Sequence, residues 1–249
     1  MSQIEKAFKI LEVLIKRREA LSVGELSQLS GVSIASTYRI CLELANIDYL
    51  KKEKNEEGYF LGVKFLQFNA AIQHSLNIAN ISIPHLEKLS GECREYSDLA
   101  ILDNYEAVIV AQLDVPRGLK IANNLGARLP LNAASSGKVF LAYISKEDRQ
   151  TFYKKAKLNS FTENTLTDIN QLEQEVEKIR QNGYAIDNEE YAKGIWSVAA
   201  PVFDMKNVIA GLSLIVPTVR VNDENKNDFI SAVKHTALSI SKEFGGINF

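Results

Sequence analysis

The chain has 249 residues, of which 46% are hydrophobic and 24% charged, and its formal net charge is −2. This is the profile of a soluble globular protein with one large domain or two ordinary ones, and not that of a general nucleic-acid coat. The two cysteines, Cys41 and Cys93, sit in helical patterns without metal-ligand spacing. That excludes a disulfide framework or zinc finger and fits a reducing cytoplasm. The start carries no apolar signal segment, and no run of about 20 apolar residues offers a membrane span.

Taken in order, Ser2 and Glu5 have capping-box spacing ahead of a helix over 3–17, with Ile4, Ala7, Phe8, Leu11, Leu14 and Ile15 at helical period as its inward face. Ser22 and Glu25 repeat the box, Leu26 and Leu29 are expected inward, and Gly31 can take the positive φ that closes a helix. Ser33 is the expected N-cap of the next helix, with Ile34, Tyr38, Cys41, Leu42 and Ala45 as its underside and Ser36, Arg39 and Glu43 on another face. Leu50–Lys54 and Tyr59–Leu61 form a hairpin around Asn55-Glu56-Glu57-Gly58, with Lys51, Lys52 and Lys54 as cations.

Helices, glycine turn and basic hairpin in that order predict a winged helix-turn-helix that binds DNA. Its expected DNA contacts are Ser22, Ser33, Ala35, Ser36, Thr37 and Arg39 on the helices, and Lys51, Lys52, Lys54 and Asn55 on the wing. Residues 1–64 hold ten Lys/Arg against nine Asp/Glu. A few well-placed cations, doubled through a dimer, must therefore do the electrostatic work.

From Gly62 to about Gln73, and again from Asn77 to Ser90, the pattern is helical and joins the two halves. The predicted division is a winged helix-turn-helix over 1–61, linker and dimerisation helices over 62–90, and a second domain over 91–249. In that domain Asp98–Leu102 and Ala107–Leu113 are strands around an Asp103-Asn104 turn, and Leu119–Asn123 is a candidate third strand. Helices follow from Ser135, Ser145 and Asp168, then strands over Tyr184–Asp187, Val198–Phe203 and Val208–Val216, then a closing helix from Asp223 with Phe229, Val233, Ala237 and Ile240 inward. The expectation is an α+β sensor-like domain with helices on one face of a mainly antiparallel sheet.

The segments KAFKILEVL, LSVGELSQLSGVSIASTYRICLEL, GYFLG, GARLPLNAASSGKVFLA, IRQNGYAIDNEEYAKGIWSVAAPVFD and IAGLSLIVP occur in that order over nearly the whole chain. Together they resemble the IclR family of bacterial transcriptional regulators. The resemblance implies an N-terminal winged helix-turn-helix and a C-terminal GAF-like α+β effector-binding domain. It also implies a homodimer or dimer of dimers on operator DNA, and a small organic or aromatic acid as effector.

The positions matching family ligand contacts are Ile121, Leu129, Ser135, Ser136, Asp187, Ser197, Ser213 and Ile215. The residues themselves fit in part. Ser135-Ser136-Gly137 opens a helix whose N–H groups and dipole can hold a carboxylate, Ser197 and Ser213 offer hydroxyls, and the three aliphatic residues offer apolar wall. The serines read equally as helix caps and strand filler. Asp187 reads as ligand acceptor, orienting hydrogen bonder or turn residue, and a donor is expected near it if the ligand is an acid. Glu189 and Glu190 read as a solvated acidic face. Asn132 stands where many members have histidine, and Trp196 and Ser197 where cysteine is frequent, so no zinc site and no cofactor are expected. Trp196 is either a pocket wall or a core residue. Asp48 stands where glycine usually turns the chain before the wing, a turn Asp tolerates.

Two other classes compete with a ligand-responsive regulator. A small-carboxylate enzyme would need a nucleophile elbow, a phosphate loop or a metal triad, and the motifs show none; His74, His85 and His235 all fall in helices. A winged helix that binds only proteins would share the fold but shift no DNA.

Overall fold

The computed structural model describes residues 1–52, 58–68, 77–115, 124–155, 158–205 and 207–246. Contacts divide the chain into two compact units, Met1–Leu76 and Asn77–Phe249.

The first unit is a winged helix-turn-helix. Helix α1 (Gln3–Arg17) starts with both halves of the Ser2/Glu5 capping box, and β1 (Leu21–Ser22) leads into α2 (Val23–Ser30), which carries the same box from Ser22 and Glu25. Gly31, at φ 68°, closes α2, and α3 (Ile34–Asn46) follows. Strands β2 (Leu50–Lys52) and β3 (Gly58–Leu61) pair antiparallel, with β1 on the other side of β3. Asp48 takes a φ of 66° in the turn before the wing. Gly62 must stay bare, because a Cβ there would overlap the Asp48 carbonyl. The core is Ile10, Leu11, Leu14, Leu21, Leu26, Val32, Ile40, Cys41, Leu50 and Tyr59.

Two faces differ from expectation. On α1, Ile10, Leu11 and Leu14 are buried, while Ile4, Phe8 and Ile15 are exposed. On α3, Thr37, Ile40 and Cys41 are buried, while Ile34, Tyr38 and Leu42 are exposed, as is Leu29 of α2. Both helices carry more apolar residues than one face holds, and tertiary packing chose between two stripes about 100° apart.

The second unit is a six-stranded antiparallel sheet in the order β6-β5-β4-β9-β8-β7. Its elements are α4 (Asn77–Cys93), β4 (Tyr96–Asp103), β5 (Glu106–Leu113), β6 (Arg128–Pro130), α5 (Ser135–Tyr143), α6 (Lys146–Lys155), α7 (Ile169–Asn182), β7 (Ala185–Asn188), β8 (Ile195–Phe203), β9 (Val208–Pro217) and α8 (Asp223–Glu243). The β4–β5 turn falls on Asn104 and Tyr105, both at positive φ, one residue later than expected.

Helices cover both faces of the sheet, not one. In β8, Ser197 bonds Ser135 of α5 while its neighbour Trp196 stacks near Phe229 of α8. Since successive strand residues point to opposite faces, α5 and α8 lie on opposite sides. Burial of every β8 residue from Trp196 to Val202 follows from that double cover. On the α8 side, Val233, Ala237 and Ile240 are buried, with Ile230 beside them where Phe229 was expected to lead. Helix α4 belongs to this unit, packing on β5 and α8. The possible strand over 119–123, residues 69–76 of the joining segment and the wing tip lie outside the described residues.

Candidate functional site

The first surface with chemistry is the outer side of α3. Its buried side is fixed by Thr37, whose hydroxyl donates to the Val32 and Ser33 carbonyls, and by Ile40 and Cys41. Thr37 is therefore withdrawn from the residues that can meet DNA: it is fully buried and its proton is used in the turn. Ser33, Ala35 and Arg39 are exposed and Ser36 is half-buried. Ser33 makes no side-chain cap; its hydroxyl donates to Ser36 Oγ at 3.0 Å. Arg39 is steadied by one donated bond to Gln3 Oε1 at 3.1 Å, leaving most of its five N–H donors free of that contact. Ser22 is half-buried, and its hydroxyl is engaged with Glu25. Lys51 and Lys52 are exposed on β2, and Lys52 lies over the Tyr59 ring. Lys54 and Asn55 lie outside the described residues.

The second surface is a patch of sheet at the head of α5. Antiparallel register places Tyr96, Ile215, Ser197 and Asp187 side by side across β4, β9, β8 and β7. The next row holds Gln112, Asp98, Ser213 and Ala199. Directly paired residues share a face, so both rows point toward α5.

Helix α5 starts on Ala134, which offers no side-chain cap to its first N–H groups. Those donors and the helix dipole are thus directed at whatever acceptor lies on the patch. Two glycines seat the helix closely. A Cβ on Gly137 would overlap the Pro130 carbonyl, and one on Gly211 would come within 3.3 Å of Ser136 Cβ.

Polar contacts knit the site. Ser197 Oγ donates to Ser135 Oγ at 2.8 Å and lies 3.4 Å from Asp187 Oδ2. Asp187 Oδ1 accepts the backbone N–H groups of Glu190 at 2.7 Å and Tyr191 at 3.2 Å. Tyr96 donates its hydroxyl proton to Gln112 at 3.1 Å. Ser213 Oγ is buried with no hydrogen-bond partner among the described residues. Beneath the site, buried Lys138 of α5 reaches Glu190 at 2.6 Å and Glu175 at 3.3 Å. Burial pushes the Asp187 carboxyl up to about 6 against the pull of its hydrogen bonds and Lys138, and pushes Glu190 up to about 7.

The structure brings Ser135, Ser136, Asp187, Ser197, Ser213 and Ile215 together. Leu129 lies in the core cluster that holds Ala107, Ile109, Phe140 and also Ala199 of the patch. Ile121 lies outside the described residues. Glu190 is not a solvated acid but the buried partner of Lys138. Trp196 is a core residue on the opposite face. Asn132 donates to the Asn159 and Leu166 carbonyls, a structural staple. Among the described residues, no group of three or more His, Cys, Asp or Glu is placed to hold a metal. The sequence signal for this buried pair is Lys138 itself: a lysine inside an otherwise small and apolar helix needs buried carboxylates.

A separate cavity of about 410 Å³ lies at the far end of β8, between Phe203, Tyr143 and Leu238. Its cations are engaged at helix ends: Arg180 donates to the Ala142 carbonyl and Lys234 to that of Asn182.

Residues 3–54 match the IclR helix-turn-helix domain, and residues 70–242 match the C-terminal domain of bacterial transcriptional regulators of the IclR type. The chain belongs to the IclR family. Curated relatives include the HTH-type transcriptional regulator KdgR of Dickeya chrysanthemi, 30% identical over 98% of this chain and 80% of that protein. The HTH-type transcriptional repressor AllR of Escherichia coli K12 is 27% identical over 97% and 90%. These relatives are transcriptional regulators, not enzymes. The Thermotoga maritima IclR structure superposes with a TM-score of 0.83 at 28% identity, covering 97% of this chain and 98% of that one. An IclR homolog from Microbacterium hydrocarbonoxydans, complexed with 4-hydroxybenzoate, has the same fold with a TM-score of 0.85 at 21% identity over 98% and 99%. Among the described residues, no helix is long and apolar enough to cross a membrane.

Proposed function

We propose that this IclR-family regulator binds operator DNA as a homodimer or dimer of dimers in the cytoplasm, and that a small carboxylate bound at the head of α5 sets its DNA affinity. The observation that carries the DNA half is the outward arc of α3, where Arg39 stands clear of the core beside short Ser33 and Ala35, with Lys51 and Lys52 on the neighbouring strand. Arg can grip guanine or phosphate bidentately, and short neighbours let the helix approach the groove. The exposed stripe Ile4, Phe8 and Ile15 on α1 supports pairing of two copies, since exposed apolar patches mark interaction surfaces. An operator with two half-sites then doubles the modest positive charge of one unit.

The ligand half rests on the uncapped start of α5 and on buried Ser213 Oγ, with Ser135, Ser197 and Asp187 around them. Asp187 would repel an acid when charged. With its carboxyl raised to about 6 it can carry a proton and donate to a carboxylate instead. The complex of the Microbacterium homolog with 4-hydroxybenzoate supports an organic acid.

A mobility-shift titration with the DNA upstream of the gene, at fixed salt, tests the DNA half. Arg39→Ala is expected to weaken binding at least tenfold while leaving the oligomer intact; unchanged affinity removes Arg39 from the interface. A thermal-shift screen of the full chain against small mono-, di- and aromatic acids tests the other half.

A further inference from the structure

The outer side of α3 carries apolar residues that the core does not use. Ile34 is 61% exposed, Tyr38 55% and Leu42 43%. They recur every four residues and so form one stripe about 12 Å long. Burying three such side chains inside was open to the fold, yet Thr37, Ile40 and Cys41 hold the inner side. The stripe flanks Ala35 and Arg39, and Lys51 and Lys52 add positive charge in the same unit. A partner that is anionic overall but apolar in spots fits this pattern.

The major groove of duplex DNA is such a partner. Its only apolar projection is the C5-methyl of thymine. We infer that Tyr38, with Ala35 and Leu42, reads thymine methyl groups, so that the operator half-site carries thymines beside the base pair that Arg39 contacts. This rests on the DNA-binding reading above and adds the base class to it. The second claimant for the stripe is another copy of this chain. The α1 stripe of Ile4, Phe8 and Ile15 already supplies a face for that, whereas α3 is the helix whose N-terminal turns a helix-turn-helix presents to bases.

The experiment replaces each thymine of the shortest bound duplex in turn by deoxyuridine, which removes one methyl and keeps every hydrogen-bonding group. Affinity is measured at fixed salt for the full chain and for Tyr38→Ala, a surface change that leaves the core untouched. The expected result is a loss of about fourfold per contacted methyl, at one or more positions in each half-site. In Tyr38→Ala at least one of those positions should become indifferent to the replacement, with the oligomeric state unchanged.

Neutral replacements throughout, or equal sensitivity in Tyr38→Ala, overturn this inference while leaving DNA binding in place. A change of oligomeric state in Tyr38→Ala also overturns it and gives the stripe to a second copy. Failure of the protein to shift any duplex overturns the regulator reading and this one with it.

Discussion

Asp187 and Glu190 are acids that the folded chain withdraws from water, with Lys138 as their shared cation. Burial raises them to about 6 and about 7. Each binds its proton more tightly in the folded state than in the unfolded chain, where Asp and Glu titrate near 4. The folded state therefore holds more protons between about pH 4 and 7. The stability tied to them is fully present below that window and declines as pH rises through it. Melting curves of the full chain at pH 5 and pH 8 are expected to show it. Asp187→Asn should remove part of the decline, a difference of about 1–3 kcal/mol; an identical decline in wild type and variant would assign it elsewhere. Binding of a carboxylate that stabilises the wild type should weaken over the same rise in pH, because the charged Asp187 repels it.

Among the elements, α1 and α3 show how much a sequence of this kind discloses. The capping boxes at Ser2 and Ser22, the Gly31 turn and the order of helices and strands were all readable, because each depends on two or three neighbouring residues. Which stripe of each helix faces inward was not. Ile4, Phe8 and Ile15 keep a helical spacing as regular as that of Ala7, Ile10 and Leu14, Leu11 is buried beside both, and only the packed partners decide. Strand β6 escaped for another reason: three residues are too few to show alternation. The helices on both sheet faces were hidden because continuous burial along β8 needs long-range information. At the candidate patch on the sheet, serines and an aspartate are legible one by one, but their rows come from register, and Tyr96, Asp98 and Gln112 are visible only there. The α1 stripe yields a prediction at this scale. Phe8→Glu places a charge on an exposed site, so the fold should survive, while sedimentation should show the oligomer shifting toward smaller species and operator affinity falling with it. An unchanged sedimentation profile would leave α1 out of the interface.

At the scale of the whole molecule, an effector can act on DNA only by binding two arrangements of the protein unequally. On the reading proposed above, the effector patch lies in Asn77–Phe249 and the DNA-facing helix in Met1–Leu76, so binding in one unit must change the behaviour of the other. What such a signal can start from is narrow, because the first turn of α5 rests on Gly211 with no side chain between strand and helix. A branched residue at that point acts as a wedge. Gly211→Val should lift the turn away and leave a folded protein that no longer answers the acids proposed as its effectors. Thermal shift by the acids that protect the wild type would vanish, while the mobility shift without any acid would not change. Three carbon atoms placed where the chain has kept an empty space would thus be enough to uncouple sensing from folding.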